Sequence, residues 1–173
     1  MPSIPNDMEE FRRQLGKGSI QKAYKALLSY MAGLRMHFAN RYGEPAVSGL
    51  YQGYMDMTYF AIFPPAFKRH GLKVAVVFNY GAFRFEAWLA ARNRTVQRQY
   101  WELFKDRNWP AYRVVAPAAG IDSILECDLI NDFDLGSPDI LTSTIEMATH
   151  AFINEIEKCL SERQPRAEAT PGG

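Results

Sequence analysis

From Ile20 the apolar residues Tyr24, Leu27, Met31, Leu34 and Phe38 follow at alternating steps of four and three. That spacing returns once per helical turn and predicts an amphipathic helix over about 19–40. A shorter helix precedes it, with Asn6 as cap, Glu9 as capping-box partner and Gly16 as stop. Near the other end, Ser137-Pro138 reads as the cap and first residue of another long helix. Its inward line is Leu141, Ile145, Ala148, Phe152, Ile156 and Cys159, so His150 is expected on the exposed side.

Between these helices the period changes to two. The segment 49–63 reads as extended, with Tyr51, Met55, Met57, Tyr59, Ala61 and Phe63 facing the core. Val74 to Phe78 is an unbroken apolar run of the kind a buried strand carries. Tyr80-Gly81 turns it into a third strand over 83–90, which makes a hairpin. Asn93 caps a helix with Val96, Tyr100, Leu103 and Phe104 inside. Residues 112–117 and 123–130 are the fourth and fifth strands. The order predicts one α+β domain over 1–163: a mainly antiparallel sheet of about five strands, covered on one face by the long amphipathic helices. Residues 164–173 are small, polar and proline-containing, and are expected to be disordered.

Composition narrows the classes. The chain has 173 residues, a formal net charge of +1 and 13% aromatic residues. A nearly neutral chain has no global field to draw it onto nucleic acid or an anionic membrane. No apolar stretch reaches membrane-spanning length. Cys127 and Cys159 have neither metal-ligand spacing nor a disulfide framework. With no secretory signal at the start, a cytoplasmic location is expected. Gly16-Lys17-Gly18-Ser19 lacks the preceding strand of a phosphate loop. Asp132, Asp134 and Asp139 lack the later ligands of a calcium loop. Neither a metal nor another cofactor is expected.

The chemistry concentrates on two strands. Gln52, Tyr54, Asp56 and Thr58 share one alternation of the first; Arg84, Glu86 and Trp88 share one alternation of the third. If those faces meet, Gln52, Tyr54, Asp56, Arg84, Glu86 and Trp88 form a polar, aromatic-walled surface that suits a small ligand or a protein partner. Charged side chains inside strands need a reason to be there. The bland alternative is an ion pair, with Arg84 or Arg92 neutralising a carboxylate. A nuclease-like Mg²⁺ site would want a lysine two residues after the second acid, where Trp88 stands. A rival surface is basic: Arg92, Arg94 and Arg98, interleaved with aromatics, would suit nucleic acid. A third reading is a homodimer through exposed tryptophans.

Three runs carry a resemblance: Ile20-Gln21-Lys22-Ala23-Tyr24, the stretch from Tyr51 to Phe60, and Phe83-Arg84-Phe85-Glu86-Ala87-Trp88-Leu89-Ala90. Together they resemble a family of small uncharacterised proteins of bacteria and archaea. The resemblance covers nearly the whole ordered chain, implies no activity and transfers no catalytic residue. More loosely, the element order from Phe83 onward is similar to a domain of unknown function found beside restriction-nuclease-like modules.

Overall fold

The protein is described by a computed structural model over residues 3–162; the tail at 164–173 lies outside the described residues. Five strands form one antiparallel sheet: β1 (Met57–Ile62), β2 (Leu72–Asn79), β3 (Arg84–Ala91), β4 (Arg113–Val114) and β5 (Ser123–Ile130), in the order β1-β2-β3-β5-β4. With them, among the described residues, go α1 (Ile4–Gly16), α2 (Ser19–Tyr42), α3 (Pro65–Arg69), α4 (Arg94–Phe104) and α5 (Pro138–Ser161). The fold is α+β.

Register decides which side chains share a face, because successive residues of a strand point to opposite sides. Phe60 pairs with Val76 and Val76 with Ala87; Thr58 pairs with Phe78 and Phe78 with Phe85. These residues are all buried. α2 packs on their side, with the Phe38 ring 5.6 Å from Phe60 and the Tyr30 ring 5.7 Å from Phe85. α5 joins the same apolar cluster through Leu141, Ile145, Phe152 and Ile156. Phe78 meets the rings of Phe83, Phe85 and Phe133 edge-on, with centroids 5.4, 5.0 and 5.7 Å apart. Such contacts add about 0.5–1.5 kcal/mol each beyond area burial.

Three local expectations change. α1 starts at Ile4 behind Ser3, with proline in its first turn, rather than behind Asn6. β1 begins only at Met57, and its inward residues are Thr58, Phe60 and Ile62. The late start follows from the tight turn before it. Gly53 has φ +71, and a Cβ there would run into the Met57 carbonyl oxygen. Asp56 Oδ1 accepts the Tyr54 N–H at 2.8 Å. Tyr51 and Tyr59 bridge across this turn and both line the polar side of the sheet, so the alternation expected to face the core faces the other way.

His150 is also not on an open surface. It is half-buried against the rings of Phe38 and Tyr42, and its Nε2 is buried with no hydrogen-bond partner. Burial holds its pKa below the usual 6.5, helped by the nearby Arg41 charge and His37 and opposed by Glu146. A histidine kept neutral by the fold binds its proton more readily when unfolded, so its contribution is present above pH 6.5 and is lost as pH falls through the lowered value. Glu146, bonded to His37 at 2.7 Å, is also held low and acts only below its own ordinary value of 4.5. Thermal melts from pH 7.5 to 5 should show Tm falling below about pH 6.5, and His150→Phe should flatten that slope. An unchanged slope in the variant would exclude His150 as its source.

Candidate functional site

The other side of the sheet carries the polar residues. Rows across it follow from the pairing: Tyr59, Val77, Glu86 and Asp128, then Ala61, Ala75, Trp88, Glu126 and Arg113, then Lys73, Ala90 and Ser123. Glu86 is only 1% exposed. An ionised carboxylate in that position must be neutralised and hydrogen-bonded. Arg84 Nε donates to its Oε1 at 2.6 Å and Trp88 Nε1 to its Oε2 at 2.6 Å. Arg84 reaches on to Asp128 at 3.1 Å. Arg113, from β4, meets Asp128 at 2.6 Å and Glu126 at 3.3 Å. A ladder of two arginines and three carboxylates thus ties β3, β5 and β4 together.

Beside that ladder lies a groove of about 310 Å³. Its floor includes Ala75 and Ala90, small residues on central strands where larger β-formers would fill the space. Its walls include Tyr51, Met57, Tyr59 and Trp88. Tyr51 and Tyr59 form a ring pair with centroids 5.0 Å apart, set by backbone hydrogen bonds between them of 2.8 and 2.9 Å. The far wall is the β4–β5 connection, which contributes Val115, Gly120, Ile121 and Asp122. That connection is anchored from α4. The buried Gln97 donates to the carbonyls of Ile121 at 2.9 Å and Ser123 at 3.3 Å, and Arg94 donates to the Ile121 carbonyl and pairs with Asp122 at 3.4 Å.

The six residues expected to form a ligand surface divide. Asp56 and Trp88 line the groove. Arg84 and Glu86 sit in the ladder next to it, with Glu86 fully engaged. Gln52 and Tyr54 lie in the turn before β1; Tyr54 is exposed and the Gln52 carbonyl accepts the Thr58 hydroxyl at 2.6 Å. Asp56 and Glu86 do not form a pair: β2 runs between β1 and β3, and Asp56 belongs to the turn. The backbone N–H groups of Tyr54 and Met57 hold the Asp56 carboxyl below its usual range. Among the described residues no group of three or more His, Cys, Asp or Glu could hold a metal ion. Cys127 and Cys159 are buried in no disulfide, and burial pushes the Cys127 thiol up to about 11, which leaves Cys127 without a reactive thiolate at neutral pH.

Lys73, Ala75, Ala90, Asp122 and Glu126 line the groove without having been singled out in the sequence, and Tyr51 and Tyr59 line it although their alternation reads as core-facing. Lys73 offered a signal: it is a charge at the head of an apolar strand run. Ala75 and Ala90 offered a fainter one, as gaps among larger residues. On the rival basic surface, Arg92, Arg94 and Arg98 are exposed, while Tyr100 and Trp109 are buried.

The chain belongs to a family described as a domain of unknown function (DUF7000), which matches residues 4–160. No curated protein and no solved structure matches it.

The ladder and the groove separate by mutation. Glu86→Ala leaves Arg84 facing a buried hole and should cost about 3 kcal/mol of stability in denaturant melts. Asp56→Ala, at an exposed turn, should leave the midpoint almost unchanged. Equal, small losses in both would show that Glu86 is not a structural anchor.

Proposed function

We propose that this protein binds a small organic molecule in the groove on the polar face of its sheet. The observation that carries the reading is the combination of an alanine floor, aromatic walls and an anchored far wall. A closed-packed sheet surface has no use for a depression of about 310 Å³ at its centre. The volume lies at the lower end of the range for small-molecule sites, roughly 300–1,000 Å³. Tyr51, Tyr59 and Trp88 present flat apolar surface with polar tips, which favours a planar ligand. Trp88 is held in place by its bond to Glu86, so the wall is preorganised and little side-chain entropy is lost on binding.

The nucleic-acid reading has less support. Arg94 is committed to Asp122 and the Ile121 carbonyl, and burial of Tyr100 and Trp109 removes two of the aromatics that would stack on bases. No helix among the described residues is long and apolar enough to cross a membrane. Two buried thiols outside any disulfide suit the reducing cytoplasm.

Tryptophan emission tests the reading. A panel of planar, non-fluorescent fragments should include members that quench saturably, and the quench should vanish in Trp88→Phe. Ala75→Leu, which fills the floor, should abolish binding of the same fragments while the far-UV spectrum and Tm stay close to wild type. Unaltered binding to the filled variant would place the ligand elsewhere and sink the proposal.

A further inference from the structure

We infer that the ligand of this groove is a planar acid: its ring lies on the Ala75 and Ala90 floor, and its oxyanion, a carboxylate or a phosphate, is taken by Lys73 and Arg92. This rests on the groove being a ligand site. At the Lys73 end the groove continues into a polar recess of about 260 Å³, lined by Lys73, Arg92, Asn93, Arg94 and Asp122 among others. Three cations and one carboxylate meet there, a formal surplus of two positive charges.

The charges are not equally committed. Asp122 and Arg94 pair with each other. Of the other acids on the groove, Glu126 accepts from Ser123 Oγ at 2.7 Å and pairs with Arg113 at 3.3 Å, and Asp56 accepts from backbone N–H groups. Lys73 and Arg92 have no carboxylate within ion-pair distance among the described residues. Arg92 is nevertheless placed. Its side chain lies across Gly71, where an added Cβ would stand 3.0 Å from its Cδ and Nε, and its N–H donates to the Gly71 carbonyl at 2.9 Å. Lys73 pairs with Ala90, which puts its amine beside the floor rather than on the sheet rim. An acid seated on that floor supplies the missing counter-charge through charge-assisted hydrogen bonds.

Three matched probes isolate the charge: phenylacetate, phenylacetamide and phenethylamine, titrated by ligand-detected NMR, with phenyl phosphate as a fourth. The acid should bind about tenfold or more tightly than the amide, as expected for one charge-assisted contact, and the amine weakest. The phosphate arm shows which oxyanion is preferred. Lys73→Met and Arg92→Met should each bring the acid down to the level of the amide and leave the amide unchanged. An amide or amine that binds as well as the acids overturns the inference and leaves the groove reading standing. Binding of none of the four, or binding that persists in Ala75→Leu, removes the groove reading and the inference with it.

Discussion

A carboxylate sealed in the middle of a sheet sets the terms for everything on that face. Glu86 has almost no contact with water, and the sheet can form only if its charge is met. Arg84 and Trp88, two residues to either side on β3, meet it within the same strand. The demand then spreads, because Arg84 is shared with Asp128 and Asp128 with Arg113. This fixes β4, only two residues long, against β5 through side-chain charge as well as backbone pairing. The same network holds the Trp88 indole through its N–H, and so turns a structural ladder into one wall of a groove.

The groove is what remains when that face cannot be covered. The opposite face is closed by aromatic and aliphatic packing from α2 and α5. On the polar face the ladder occupies one half, and small side chains leave the other half low. The β4–β5 connection rises over the low half, held by Gln97 and Arg94 of α4. The turn before β1 brings Tyr51 and Asp56 to the opposite rim. Four separate segments therefore converge on one depression, each held by hydrogen bonds that make no use of a ligand.

Much of the fold was legible in the chain because burial has a period. The stripe from Leu27 to Phe38 is the inner face of α2, and the run 123–130 is β5 to the residue. Asn93 caps α4 by accepting the Val96 N–H at 2.9 Å. The first strand is misread because both of its alternations carry apolar residues. Thr58, Phe60 and Ile62 face the core, whereas Tyr51 and Tyr59, counted with the core alternation, form a ring pair on the groove side. Of the site, the shared face of Arg84, Glu86 and Trp88 was visible from alternation. Their partners were not, since pairing Trp88 with Glu126 and Ala75 requires the strand order. A groove floor made of alanines leaves only an absence in the sequence.

Amide chemical-shift mapping of the labelled protein with a bound planar acid addresses the central claim most directly. The shifts are expected to gather on residues from β1, β2, β3 and the β4–β5 connection, around Tyr59, Ala75, Trp88, Ala90 and Ile121. Shifts confined to the exposed side of α4 around Arg98, or to the contact between α1 and α2, would contradict it.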